Sequence, residues 1–337
     1  MSAPGVAVFG AGRMGTLHAG NLARGVGGFR LEVMADPDPA TRSRVADLVG
    51  APVTADWQST LGDPGIAAVF VCSTTAAHHE QVIASLEAGK QVFCEKPLAG
   101  TLRETDDIVA ALTRSDSVLQ VGFQRRFDPH VRALADAVRV GRLGRPLLVR
   151  VSSRDPAPPP PDYPRSPGGI FIDSTIHDFD VTRFLLDDEV EEVTSMGSSL
   201  VDPVAAAAGD HDTAVTLLRF ASGALGAVDN CRLAAQGYDQ RVEVHGSAGM
   251  ASVGNPEPLA FAVADTHGSH RPPPPYFFVE RYAVAYAAEV EAFRVALDGG
   301  PVAATAADGR AALRLALAAA RSVEERRPVR VEEVLPT

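Results

Sequence analysis

At 337 residues the chain has the length for two domains, and 46% hydrophobic residues is enough to fill two cores. A net charge of −11 argues against a nucleic-acid partner, because phosphate binding needs a basic face. No window reaches the apolar length of a membrane span, no basic and apolar signal pattern opens the chain, and three scattered cysteines suit a reducing cytoplasm.

The first element is an apolar run, Val6-Ala7-Val8-Phe9, with β-strand character. Gly10-Ala11-Gly12-Arg13-Met14-Gly15 follows at once, and residues 16–24 read as a helix. Strand, glycine turn and helix in that order are the context in which G-x-G-x-x-G carries meaning. Gly10 permits the turn, Gly12 admits a pyrophosphate close to the backbone, and Gly15 lets helix and strand pack. The phosphates then face the positive end of the helix. A second strand, residues 30–35, ends at Asp36, where a carboxylate can accept hydrogen bonds from both ribose hydroxyls and repel a 2′-phosphate. NAD is therefore expected rather than NADP. Arg42 and Arg44 are expected on the exposed face of the next helix.

Alternation continues with strands at 67–72, 91–94 and 118–122 and helices at 78–88 and 105–113, which predicts a parallel sheet with right-handed crossovers. The strand at 91–94 leads into Cys94-Glu95-Lys96-Pro97, at the sheet edge where ligands bind. A lysine there can bond a substrate hydroxyl and stabilise developing oxyanion charge. Gly10, Gly12, Arg13, Met14, Gly15, Asp36, Ser73, Glu95 and Lys96 make up the expected cofactor-binding set.

From residue 147 the rhythm changes. Segments 147–153, 213–220, 224–230 and 241–245 read as longer strands joined by short turns such as Ser222-Gly223, an open and mainly antiparallel sheet. Helices near 279–297 and 308–325 close the chain, and Pro-rich stretches at 156–161 and 272–275 are stiff loops. The expected division is an NAD-binding domain over 1–122 and a substrate-binding α+β domain over 123–337. No His, Cys and carboxylate residues stand at ligand spacing, so no metal is expected.

The segment 168–186 (GGIFIDSTIHDFDVTRFLL) places Asp173 and His177 four residues apart at the mouth of an expected amphipathic helix. Positions i and i+4 share a helix face, so carboxylate and imidazole can enter one cleft. An imidazole titrates near neutrality and can take a proton and return it.

The glycine fingerprint, Glu95-Lys96-Pro97, the stretch Val121 to Asp128 (VGFQRRFD) and Asp173-x3-His177 together resemble the Gfo/Idh/MocA oxidoreductase family. Ser153-Arg154-Asp155-Pro156, the stretch Asp210 to Asn230, and Gly237 to Val244 make the chain most similar to its inositol 2-dehydrogenases. That resemblance implies a Rossmann domain followed by a mixed α/β domain whose open sheet assembles tetramers or dimers. It implies NAD-dependent oxidation of a cyclitol, foremost myo-inositol to 2-keto-myo-inositol. Lys96, Asp173 and His177 match the family's catalytic residues, and Arg125 and Tyr238 match pocket positions. With Asp155 they give a polyol many donors and acceptors. Ser174, Gln236, Ser153 and Asp155 depart from residues common in relatives, which touches the preferred stereoisomer. Alternatives are another sugar or aminocyclitol, an NAD-dependent glycosidase without net redox change, and a sugar-sensing binding protein.

Overall fold

The computed structural model describes residues 3–160 and 168–336, so residue 161 of the first Pro-rich stretch lies outside it. In the first half, strands and helices alternate: β1 (Gly5–Phe9), α1 (Arg13–Ala23), β2 (Arg30–Ala35), α2 (Pro39–Val49), β3 (Val53–Thr54), α3 (Gln58–Leu61), β4 (Ile66–Val71), α4 (Thr75–Glu87), β5 (Gln91–Glu95), α5 (Leu102–Thr113) and β6 (Leu119–Gly122). The six strands form one parallel sheet in the order β3-β2-β1-β4-β5-β6. Strand order reverses between β1 and β4, which is where such sheets bind ligands at their carboxyl ends.

Local chemistry explains these elements. β1 and all but one residue of β4 are buried, as expected of parallel strands covered on both faces. Asp38 caps α2 by accepting from the backbone N–H groups of Ala40 and Thr41, and Thr101 and Glu104 close a reciprocal capping box on α5. The core gathers Phe29, Phe70, Phe93 and Phe293, with the Phe70 and Phe93 rings stacked at 4.7 Å.

The second half contains α6 (Pro129–Arg139), β7 (Pro146–Arg154), α7 (Ile176–Leu186), β8 (Val190–Ser198), α8 (Pro203–Ala207), β9 (Thr213–Phe220), β10 (Leu225–Cys231), β11 (Asp239–Gly246), β12 (Gly249–Val253), the hairpin β13 (Val263–Asp265) and β14 (Gly268–His270), and α9 (Phe278–Arg281). After α10 (Ala283–Leu297) and α11 (Ala306–Glu325) comes the short β15 (Val329–Arg330). One seven-stranded sheet runs β12-β11-β7-β10-β9-β8-β15, antiparallel except for β10 beside β7. In β9, buried and exposed residues alternate, so one face of this sheet is open.

Two features differ from the sequence expectation. The helix expected over 279–297 is two helices, interrupted at Tyr282, whose backbone leaves helical geometry while its ring is buried 6.2 Å from that of Tyr238. Compact units also divide the chain at 127/128 rather than 122/123, and residues 284–313 and 335–336 group with the first unit. The reason lies in the core: Val290 and Phe293 of α10 pack among the apolar residues of β1, β2, β4 and β5.

Candidate active site

In the first unit the glycine turn is built by close approach. Gly10 has φ +91°, and a side-chain carbon there would meet the Ser73 backbone at 2.5 Å. A carbon on Gly15 would lie 1.8 Å from the Gly10 carbonyl oxygen, so helix and turn meet only through glycine. At Gly12, by contrast, an added carbon meets no protein atom within 4 Å. The space over Gly12, at the uncapped start of α1, suits the diphosphate of a dinucleotide.

Asp36 closes this turn. Its Oδ2 accepts from the Ala11 backbone N–H at 2.7 Å and its Oδ1 from Asp38 N–H at 2.9 Å, which aims the carboxylate at the end of β2. Each oxygen keeps a lone pair for a ribose hydroxyl. Arg42 and Arg44 do not simply extend into solvent from α2. Arg42 is half-buried and donates to the carbonyls of Asp36 and Pro37 at 2.7 and 2.9 Å, and Arg44 donates to the Ala11 carbonyl at 3.2 Å. Long stems let surface arginines fold back onto unsatisfied carbonyls. Arg13 is exposed and Met14 half-buried, one turn along.

The segment Glu95-Lys96-Pro97 ends β5 with a cis peptide bond between Lys96 and Pro97, a point the sequence leaves open. Lys96 is half-buried. His78 of α4 is buried and its pKa lies below the usual range because burial penalises the charged ring. Its Nδ1 lies 2.8 Å from the Pro97 carbonyl oxygen, an acceptor for a ring N–H. Its Nε2 stands 3.2 Å from the Ser73 carbonyl, and Ser73 Oγ donates to Gln81 at 2.7 Å. Arg125 is buried in a short 3₁₀ turn after β6.

Asp155, Asp173, His177 and Tyr238 belong to the second unit. Asp173 does not sit on regular α-helix: residues 171–175 form a π-turn that runs into α7, and His177 is the second residue of α7. Inserted π-turns of this kind recur at functional sites. The wider turn still brings residues four apart to nearly the same face. Ile170 N–H, at the entry, is held by Asp210 Oδ1 at 3.0 Å.

Sequence reasoning missed Arg232, which follows β10. Its Nη2 lies 2.9 Å from Asp173 Oδ2, and both side chains are largely buried. Burial alone would lower the guanidinium pKa, but Asp173, with Asp155 and Asp210 nearby, more than reverses this and raises it. A second tie also went unseen: Thr175 donates to Asn230 at 2.9 Å, and Asn230 donates to buried Asp178 at 2.7 Å. These bonds fasten the Asp173–His177 segment to β10. Asp155 continues from β7 and its N–H donates to Cys231. Tyr238, preceded by Gly237 at φ +115°, is buried near the rings of Phe278 and Tyr282.

The folded chain also joins residues that no sequence spacing links. His18, Glu95 and Glu289 meet in the interior of the first unit, with His18 Nε2 2.7 Å from Glu95 Oε1 and 3.7 Å from Glu289 Oε1.

Comparison with known proteins agrees with this architecture. Residues 5–123 match the family model described as the oxidoreductase family with an NAD-binding Rossmann fold, and residues 131–252 match the GFO/IDH/MocA C-terminal domain. The chain is 44% identical over 332 residues to a myo-inositol 2-dehydrogenase of Thermotoga maritima, covering 98% of this chain and 99% of that one. A crystal structure of a probable dehydrogenase from the same organism superposes with a TM-score of 0.94 at 44% identity, covering 98% of this chain and 100% of that one. A myo-inositol dehydrogenase from Lactobacillus casei, solved in complex with NAD(H) and myo-inositol, gives a TM-score of 0.88 at 31% identity over 97% of this chain and 96% of its own. With both halves matched in order and nearly the full length aligned, the chain belongs to the Gfo/Idh/MocA oxidoreductase family.

Proposed function

We propose that the protein oxidises a ring hydroxyl of a cyclitol with NAD, foremost myo-inositol to 2-keto-myo-inositol. The observation that carries this is the conjunction of an Asp36-closed glycine turn with the Arg232-paired Asp173 and His177 on one π-to-α helical segment. The Lactobacillus casei relative, solved with NAD(H) and myo-inositol, supports the choice of cofactor and substrate class.

When bound, NAD accepts the hydride released from the ring carbon. The diphosphate is assigned to the turn at Gly10, Gly12, Arg13, Met14 and Gly15, and the ribose to Asp36. Ser73 and Glu95 complete the set through backbone and neighbouring positions. His177 is assigned the proton of the reacting hydroxyl, because a neutral alcohol yields hydride only as that proton leaves. Asp173 orients the imidazole or an adjacent hydroxyl, and Lys96 holds the reacting oxygen and favours its alkoxide form. Arg125, Asp155 and Tyr238 are assigned to the other ring hydroxyls. A pocket that bonds several hydroxyls discriminates between epimers, since a misplaced hydroxyl leaves buried groups unpaired.

We also place the enzyme in the cytoplasm as a homo-oligomer, a tetramer or dimer. Its described cysteines are free, and no described helix is long and apolar enough to cross a membrane. Met196, Val215, Leu217, Leu225 and Met250 are all strongly exposed on the seven-stranded sheet, an apolar face that a second copy would cover. Light scattering behind a sizing column reads the mass; a monomer at every concentration rejects the assembly.

The chemistry is tested with myo-inositol carrying deuterium on the carbon to be oxidised. Label should appear in the NADH formed, one per ketone released. NADH without label, or glycoside cleavage without net NADH, rejects direct oxidation at that carbon.

A further inference from the structure

His18 of α1, Glu95 at the end of β5 and Glu289 of α10 are all buried, and their ligating atoms lie within 4.8 Å of one another. Rings of Phe93, Phe70 and Tyr286 surround His18 at 5.0, 5.7 and 6.0 Å. Both carboxyl oxygens of Glu289 and Nδ1 of His18 have no hydrogen-bond partner among the described residues. A carboxylate in such a place takes a proton rather than remain charged. Burial pushes the Glu289 carboxyl well above the usual carboxylate range, and the neighbouring Glu95 adds to the shift.

A metal ion explains this group less well than a proton. His18 Nε2 is already engaged by Glu95 at 2.7 Å, and aromatic rings close the surroundings. Titratable groups that feel the charge of the cluster include the Cys72 and Cys94 thiols, raised by burial and by Glu95, and the His78 ring, lowered by burial.

The cluster connects directly to Lys96. Glu95 precedes it, and Glu95 Oε2 accepts the Lys96 backbone N–H at 3.3 Å. That same oxygen lies 3.0 Å from where a side-chain carbon would stand on Gly122, so the glycine makes room for it. On the other side, His78 holds the Pro97 carbonyl. Lys96 is therefore flanked by two chain neighbours, each fixed by a buried imidazole.

We propose that the His18–Glu95–Glu289 cluster positions Lys96, with His18 donating Nε2–H to Glu95 and Glu289 retaining one proton. This rests on the dehydrogenase reading, in which Lys96 holds the reacting oxygen. His18 and Glu289 are positioning residues that act on Lys96 through Glu95.

Two sets of measurements test it. The first reads the proton and needs no turnover. An infrared spectrum of the wild type should show the carbonyl stretch of an un-ionised buried acid, and Glu289→Gln should lack it. Because a raised carboxyl favours folding at low pH and loses that contribution as pH rises, the Tm of Glu289→Gln should gain on the wild type from about pH 5 upward. A missing band, a pH-independent difference or a stoichiometric divalent metal in the purified protein overturns the assignment.

The second reads the coupling. His18→Leu, which removes the donor, should lower kcat about a hundred-fold, a larger effect than on the Kd for NAD. His18→Gln, which restores an N–H donor, should recover most of that loss. Equal kcat in both variants and the wild type, or equal losses of kcat and Tm in both variants, overturns the positioning role. A wild type that turns over no cyclitol refutes the dehydrogenase reading instead, and the infrared band still decides the proton.

Discussion

Asp173 and Arg232 meet at 2.9 Å, joining the π-turn ahead of α7 to the end of strand β10 in a largely buried ion pair. The pair gives Asp173 a fixed direction and a compensating charge. Removing one partner of such a pair strands the other. Arg232→Met should therefore lower kcat/KM for the cyclitol about 10- to 100-fold and leave NAD binding intact. Arg232→Lys, which keeps the charge but loses the planar fork, should fall between. Steady-state kinetics with myo-inositol varied at saturating NAD checks both.

His177→Ala should cut kcat by roughly two to four orders of magnitude, the usual worth of a positioned acid-base group. NAD affinity, measured by calorimetry, should stay close to that of the wild type. Near-normal turnover would remove His177 from proton transfer.

Cofactor choice is the role proposed for Asp36, and Arg42 and Arg44 are folded back around the same turn. Asp36→Ala should weaken NAD by about 10- to 100-fold, the loss of charged hydrogen bonds. It should also open a measurable rate with NADP, since the repulsive carboxylate is gone and two guanidinium groups remain. KM values for both cofactors in wild type and variant decide this; no gain with NADP would show that the arginines are committed to the backbone.

The first unit also carries a pH-sensitive tie. Burial alone would raise the Asp308 carboxyl, but Arg126 at 2.9 Å and hydrogen bonds from Thr305 outweigh it and bring the pKa to about 2. A depressed carboxyl contributes stability above its unfolded value of about 4 and loses it as pH falls towards 2. Asp308→Asn should cost about 2 kcal/mol near neutrality by urea unfolding. The difference should shrink between about pH 4 and pH 2.

Much of the nucleotide-binding unit is legible in the sequence, because its signals are local. The apolar run before Gly10 and the Glu95-Lys96-Pro97 segment each lie within one strand and its following turn, and Asp36 directly follows the very next strand, β2. β9 reads directly from its alternation, with the bounds expected. What escapes is non-local or has no period of its own. Arg232 is 59 residues from Asp173, and the sheet alone brings them together. Glu289 reaches His18 because α10 packs into the first core, and nothing in its helical pattern marks it as buried beside another carboxylate. The π-turn at Asp173 adds one residue to a helix without changing which residues are apolar. A helix reading therefore misses the turn.

The most direct test of the account follows absorbance at the NADH band after the purified protein is mixed with myo-inositol and NAD, and separately NADP, at alkaline pH. A steady rise with NAD and little with NADP is expected. No rise with NAD for myo-inositol or any other cyclitol would contradict it.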